Sequence, residues 1–403
     1  VVVSASAGVT NHLVTLTSQS MAADEVEALL AQIANVQNQI LAALDAPASV
    51  RKRIETILYE LSQLAFHPDL LISPSIQDEV LSFGERLSST LFVQVLNHLA
   101  KANVAHGVDC RRVVKTDSQF GHAKPDLPTI QAQATSLLLP QLSQGICVTQ
   151  GFIGQDAMGR TTTLGRGGSD YSAALLAEAI GASALQIWTD VAGIYTTDPR
   201  VSSGARAIGE MSFSEAAELA TFGAKVLHPA TMVPAIRGDI PVFVGSSLEP
   251  NNGGTWISKA VEDKPSYRAV ALRKEQTLIT VTSPEMLHAT GFLARVFAIL
   301  AKHKLSIDLI TTSEISVALT IDNPPNNPTA DLTSACIRDL KDFCQVDVES
   351  DLALVAVIGN HIHGSEAQNG GVASIFNSIA GDQLRMICHG ASQHNVCFLV
   401  KQN

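Results

Sequence analysis

The sequence has no uninterrupted apolar stretch of the ~18 residues that a membrane-spanning helix needs. Its opening, VVVSASAGVT, has no basic segment of the kind that begins a secretion signal. No membrane partner is expected, and the chain reads as cytoplasmic. It also lacks basic runs and basic-aromatic alternation: Lys plus Arg number 27 against 38 Asp plus Glu, a net charge of −11. That balance argues against nucleic acid as a partner. The six cysteines, at 110, 147, 336, 344, 388 and 397, form no CxxC pair and no zinc-type Cys/His spacing. They are expected to be buried thiols in a reducing compartment.

What is present is 403 residues, 46% of them apolar, enough for two or three domains with their own cores. After a short strand and a Ser/Ala/Gly turn, Val26, Leu29, Leu30, Ile33, Ile40, Leu41 and Leu44 recur at helical spacing, as do Ile54, Ile57, Leu58, Leu61 and Leu64. A third helix is predicted across ERLSSTLFVQVLNHLA, residues 85–100. From 145 to 257, β-rich runs alternate with helical ones, which predicts a largely parallel sheet covered by helices. Ligands of such sheets collect at the carboxyl ends of the strands. The polar segment SKAVEDKPSYR, 258–268, is expected to mark a domain boundary.

The last third repeats itself. A shift of 79 residues lays GFLARVFAILAKHKLSIDLITTSEISVAL over GGVASIFNSIAGDQLRMICHGASQHNVCF, matching Phe297 with Phe376, Leu305 with Leu384, Ser313 with Ser392 and Val317 with Val396. Each copy reads strand, helix, strand, tight turn, strand, with NPPNNPTAD as a spacer between them. Two copies of a small α+β module imply a paired regulatory unit.

Chemistry concentrates in three loops. In TTTLGRGGSDYSAALLAEA, Gly165, Gly167 and Gly168 let the backbone approach a ligand, and Ser169 or Asp170 can cap the helix that follows. The first-turn N–H groups favour an anion, and Arg166 adds a fork for a carboxylate or phosphate. Just upstream, GQDAMGRT differs from the phosphate-binding pattern GxxxxGK[ST] by an arginine, and no helix is expected after it. WTDVAGIYTTDPR sets Thr189 and Asp190 at a strand end before Tyr195 and Arg200, groups that suit a nucleotide but also an ordinary loop. FGAKVLHPAT places Lys225 near a helix end, either as surface charge or as a cation for phosphates.

Taken in order, SASAGVTN, FGERLSS, GRTTTLGRGGSDYSAALLAEA, WTDVAGIYTTDPR and FGAKVLHPAT resemble the aspartokinase branch of the amino-acid kinase family. DLITTSEISVAL within a tandem ACT-type repeat is most similar to the lysine-sensitive monofunctional type. The resemblance implies an α/β/α sandwich kinase domain over 1–262, followed by two ACT modules, 268–350 and 351–403. It implies ATP-dependent phosphorylation of the L-aspartate side chain to 4-phospho-L-aspartate, with Mg²⁺ accompanying ATP. That reaction is the first step of lysine, threonine and methionine synthesis, under feedback inhibition by L-lysine. It also implies a homodimer or homotetramer built through the ACT modules.

Carried over position by position, the resemblance assigns Thr10, Glu85, Arg166, Gly167, Gly168 and Ser169 to aspartate, with Arg166 on the α-carboxylate and Glu85 on the α-amino group. It assigns Thr189, Asp190, Tyr195, Arg200, Lys225 and Val226 to ATP. Lys225 would stabilise the transferring phosphoryl group and Asp170 would organise the lysines around it. Met286, Phe292, Leu293, Ser306, Ile307, Asp308, Thr312, Ser313 and Glu314 fall in the effector region, where Asp308 and Glu314 supply charge for a lysine ammonium.

The family opens with a KFGGTS-type segment that cradles phosphates, and this sequence begins after it, so the kinase domain is expected to lack its first strand and the chain to have severely reduced activity. The second ACT module is expected to stop short of its closing helix. Two other readings stay open: a sibling kinase acting on glutamate or acetylglutamate, which the tandem repeat and GRGGSDYSAAL disfavour, and a non-catalytic amino-acid-binding regulator.

Overall fold

The computed structural model describes residues 1–222, 227, 229–286, 290–321, 333–360, 362, 371–381, 383–390 and 392–402. The chain divides into two compact units, residues 1–188 with 227–243, and 189–226 with 244–403. In chain order the elements are β1 (Val2–Val3), α1 (Val9–Ser18), α2 (Ala23–Ala43), α3 (Ala48–Ala65), α4 (Pro74–Ala100), β2 (Ala105–Val108), α5 (Leu127–Gln133), α6 (Leu139–Leu142) and β3 (Ile146–Gln150). There follow β4 (Ile153–Gln155), β5 (Thr161–Thr163), α7 (Gly168–Ile180), β6 (Leu185–Thr189), β7 (Glu210–Ser212), α8 (Phe213–Thr221), α9 (Pro229–Gly238), β8 (Val242–Ser246) and β9 (Thr255–Ser258). The last third comprises β10 (Ala269–Thr282), α10 (Phe292–Lys302), β11 (Ile307–Thr312), β12 (Ser316–Ile321), α11 (Ser334–Lys341), β13 (Gln345–Ile358), α12 (Gly371–Ser378), β14 (Leu384–His389) and β15 (Asn395–Lys401). No helix among the described residues is long and apolar enough to cross a membrane.

In the first unit β1, β3 and β2 form a parallel sheet in that order, with Val2 opposite Thr149 and Ala105 opposite Ile146. Alternation along β3 sends Gln150 toward α4, where its amide donates to Ser89, and sends Cys147 into a core with Leu175 and Leu176 of α7. The sheet is thus covered on both faces. On the α4 side, Ile33, Ile54, Ile57, Leu61, Phe83 and Leu87 form a helical core, the stripe that the 3.6-residue spacing predicts. Helix α4 starts eleven residues before the predicted start, because Pro74 suits the first helical position. The extra turns matter, since they carry Asp78 on the same helix as Glu85.

The segment after β1 lies directly on α4. A β-carbon at Gly84 would come within 2.7 Å of the Ala5 β-carbon and 3.3 Å of Leu13, so only glycine admits this contact. The lookalike GQDAMGRT forms the turn of the β4–β5 hairpin, closed by Asp156, which accepts from the backbone N–H groups of Met158 and Arg160 and pairs with the Arg160 guanidinium. It is a closed turn, as expected from the missing helix.

In the second unit β7 pairs in parallel with β9. The last third is one antiparallel sheet of order β11-β12-β10-β13-β15-β14. Strands β10 and β13 run through both repeats. Ala269–Arg273 pairs with Leu354–Ile358 and Leu278–Thr282 with Gln345–Glu349, with bulges between and Glu275 at φ 59°. The first repeat packs Val296 and Leu300 of α10 and Leu340 of α11 on Ile279, Val281, Val317 and Leu319; the second packs Ile375 on Val357, Val396 and Phe398. Helix α12 begins 79 residues after α10, and β15 begins 79 residues after β12, the offset read from the sequence.

Gly84→Ala should lower stability by about 1–3 kcal/mol, the usual cost of overpacking, because the segment around Ala5 must lift off α4. Denaturant melts of the variant and the parent check this, and coincident midpoints would contradict it.

Candidate functional site

Several of the predicted acceptor residues meet at the carboxyl ends of β1 and β3. The Gly151 N–H donates to the Val3 carbonyl, and Gly151 lies flat against Ser169, where a β-carbon would come within 2.8 Å of the serine. The next residue, Phe152, takes φ 67°, uncommon for a non-glycine residue. Its N–H donates to Gly168 and its carbonyl accepts from Leu164, so this one strained residue holds both ends of the Leu164–Gly168 loop. Neither Gly151 nor Phe152 was picked out from the sequence; the only local sign was a glycine next to an aromatic at a strand end.

Helix α7 begins at Gly168, with Gly167 at φ 71° as its cap and no side chain capping it. The expectation that Ser169 or Asp170 caps the helix is therefore corrected. Both sit in the first turn, and the left-handed glycine does the turning, which leaves first-turn N–H groups for a ligand. Arg166 is exposed, Ser169 half-buried. Asp170 is half-buried too, and burial raises its carboxyl above the ordinary range. Thr10 lies exposed in the first turn of α1, behind Gly8 at φ 81°.

Glu85 is only 5% exposed. Desolvation pushes its carboxyl up to about 7, against a hydrogen bond from the Ala5 N–H at 3.2 Å that favours the ionised form. The Ser88 hydroxyl donates to the Ser4 carbonyl one turn further along α4 and fixes the same segment. A buried carboxylate with so little cationic compensation is suited to a cation, and an arginine beside a helix N-terminus is suited to an anion. Together they suit a zwitterion.

The residues expected to take the nucleotide belong to the second unit. Thr189 donates its hydroxyl to Asp190, and its carbonyl accepts from Ser247. Tyr195 bridges to Ala207, and Arg200 is held by Asp198 at 2.7 Å on an exposed turn. Lys225 and Val226 lie outside the described residues. Among the described residues no cluster of three His, Cys, Asp or Glu could hold a metal ion.

In the effector region Met286 and Phe292 pack into the first repeat's core, and Phe292 meets Phe343 edge-on at 5.5 Å. Leu293, Ser306, Thr312, Ser313 and Glu314 are exposed, while Ile307 and Asp308 are half-buried. The Ser313 hydroxyl pairs with Ser316 across the turn. Asp308 is engaged by the Arg273 guanidinium at 2.5 Å, and the same Arg273 nitrogen reaches the Thr221 carbonyl at the end of α8 at 3.4 Å. Helix α8 is tied to the second repeat as well. Buried Glu215 accepts from Arg268 and Asn360, and Glu218 from Ser392 and Asn395. Ser392 is the repeat counterpart of Ser313, so the same position closes a turn in one copy and holds α8 in the other.

A model of the amino acid kinase family matches residues 1–246, and one of the ACT domain matches residues 279–325. The chain belongs to the amino acid kinase family. Within it the chain falls among the aspartokinases: it is 52% identical over 402 residues to lysine-sensitive aspartokinase 3 of Escherichia coli K12, covering 99% of this chain and 88% of that relative. Aspartokinase of Chlamydia pneumoniae is 33% identical over 403 residues, with 99% and 87% covered. The solved structure of E. coli aspartokinase III with aspartate and ADP, in its R state, matches at 50% identity and TM-score 0.86, covering 100% of this chain and 89% of that one. The same enzyme with lysine and aspartate, in its T state, matches at 50% identity and TM-score 0.83, covering 100% and 88%.

If Glu85 receives a substrate ammonium it must be ionised, and burial pushes its carboxyl up to about 7. Aspartate affinity should therefore be full above pH 7 and fall about tenfold for each unit below it. Calorimetric titration from pH 5.5 to 8.5 checks this. A flat profile, or Glu85→Gln keeping the parent's pH dependence, would contradict it.

Proposed function

We propose that this aspartokinase transfers the γ-phosphoryl group of ATP to the side-chain carboxylate of L-aspartate, giving 4-phospho-L-aspartate, under inhibition by L-lysine. The observation that carries the acceptor half is that buried Glu85, which accepts from the Ala5 N–H, and Ser169, which lies against Gly151, both stand at the carboxyl ends of β1 and β3. Arg166 and the first-turn N–H groups take the α-carboxylate, with Gly167 and Gly168 allowing the close approach. Glu85 takes the ammonium, and Thr10 and Ser169 offer hydroxyls. An α-amino acid gripped by both α-substituents leaves its side-chain carboxylate as the free nucleophile. Positioning of that kind is most of what phosphoryl transfer asks of a protein.

Thr189, Asp190, Tyr195, Arg200, Lys225 and Val226 form the nucleotide set, with Lys225 on the transferring phosphoryl and Asp170 ordering the charges around it. Magnesium arrives with the nucleotide. It needs only one or two protein carboxylates beside phosphates and water, and Asp190, at a strand end, is a suitable carboxylate in the nucleotide set. When bound, the ion neutralises phosphate charge. The residues named here bind and orient.

Lysine inhibition acts through Asp308. An effector ammonium competes there with Arg273, whose guanidinium also reaches the last carbonyl of α8, four residues ahead of Lys225 in sequence. Lysine shifts the kinase only if it binds one arrangement of this contact better than the other. Met286, Phe292, Leu293, Ser306, Ile307, Thr312, Ser313 and Glu314 complete the effector set. The two modules, 268–350 and 351–403, also serve as the surface for a homodimer or homotetramer. A cytoplasmic location is supported by six thiols that are all unpaired.

Arg166→Ala should weaken aspartate binding at least about tenfold, the scale of a lost charge-assisted pair, with MgATP affinity nearly unchanged. Calorimetry with each ligand checks this, and the reverse pattern would return the loop to the phosphates. Asp308→Ala should abolish lysine binding while sparing both substrates.

A further inference from the structure

Asp78 lies in the first turns of α4, is 2% exposed, and belongs to none of the ligand sets above. Its Oδ1 accepts from the Thr163 hydroxyl at 2.8 Å and the Gly121 N–H at 3.1 Å. Its Oδ2 accepts from the Thr163 N–H at 2.8 Å and the same Gly121 N–H at 3.0 Å. Burial raises the carboxyl above its ordinary range, and the bonds from Gly121 and Thr163 oppose the rise. A group kept at that cost has three donors to satisfy, all on two backbone segments that converge on one place.

That place is the root of the Arg166 loop. Thr163 ends β5, three residues before Arg166, and its carbonyl accepts from Ala123. Gly165, at φ 78°, packs on the Gly121 carbonyl, where a β-carbon would come within 3.1 Å. Asp78 therefore fastens the strand that delivers the loop and the segment against which the loop rests. Asp78 and Glu85 are seven residues apart, two helical turns, which puts them on the same side of α4 about 10 Å apart along its axis.

We propose that Asp78 is a positioning residue for the acceptor. Through Thr163 and Gly121 it sets the Arg166 loop at a fixed place along α4 relative to Glu85, so that one helix spaces the receptor for the α-carboxylate from the receptor for the ammonium. The assignment rests on the reading of the Arg166 loop as the aspartate grip. An asparagine here can keep most of the arrangement, since the Thr163 hydroxyl can turn to accept from the amide while the remaining oxygen serves both N–H groups. An alanine leaves the buried Thr163 N–H and the Gly121 N–H without their acceptor and unfastens the loop.

The test is calorimetric binding of aspartate and of MgADP to the full chain and its variants. Asp78→Ala should weaken aspartate at least about tenfold with MgADP changed less than about twofold, and Asp78→Asn should restore aspartate affinity to within about threefold of the parent. Placed on Arg166→Ala, Asp78→Ala should add less than about twofold, because both act through one contact. Equal losses for both ligands, no rescue by asparagine, or a fully multiplied loss in the double variant would overturn the assignment while leaving the acceptor reading intact. Unchanged aspartate affinity in Arg166→Ala alone would overturn the acceptor reading and this assignment with it. Should Asp78→Ala not fold, Thr163→Val removes only the hydroxyl donor. A selective loss of aspartate affinity there supports the assignment, and unchanged affinity overturns it.

Discussion

The proposed acceptor site depends on a single close approach, the Ser4–Ala5 segment lying on α4 at Gly84. That contact excludes water from Glu85, brings the Ala5 N–H to its carboxylate and lets Ser88 hold the Ser4 carbonyl. With any side chain at position 84 the segment would lift. Glu85 would then be an ordinary solvated glutamate with no reason to seek an ammonium. The helix is long enough to govern more than that contact, because its early start at Pro74 places Asp78 two turns upstream on the same side. A rigid helix with a buried acid at each of two points is a means of fixing distances, and an amino acid gripped through both α-substituents needs a fixed distance.

The opposite wall uses backbone strain instead. Phe152 at φ 67° and Gly167 at φ 71° bend the chain on either side of the Arg166 loop, and Gly151 and Gly168 let the bends nest without side chains between them. The residues are small because the backbone itself does the packing. In the second unit the logic is ionic: α8 is tied to the repeats by Glu215, Glu218 and the Thr221 carbonyl, each meeting a side chain from a different stretch of the last third. Side chains from both repeats thus hold the same helix.

Much of this was legible in the sequence where the signal is local. Helical spacing announced the α2–α3 core, alternation of strand and helix announced the parallel sheet, and the 79-residue repeat was reproduced by the starts of α12 and β15. The turn into a helix at GRGGSD was legible because glycines before a helical stretch mark a left-handed entry. What was not legible depends on contacts between distant segments. Gly84 against Ala5, Gly151 against Ser169, and Asp78 on Thr163 and Gly121 are separated by 18 to 85 residues, and no periodicity reports them. The early start of α4 was missed because residues 74–84 mix polar and apolar side chains. The capping role given to Ser169 failed because a left-handed glycine already ended the loop.

In the proposed arrangement the Arg166 loop and Glu85 hold the amino acid while the segment after β6 holds the nucleotide. Hydrogen–deuterium exchange with each ligand alone separates the two. Aspartate should slow exchange in residues 4–8, around Glu85 and through 164–172, and MgADP should slow it in 189–200. Protection of 164–172 by MgADP and not by aspartate would contradict the account.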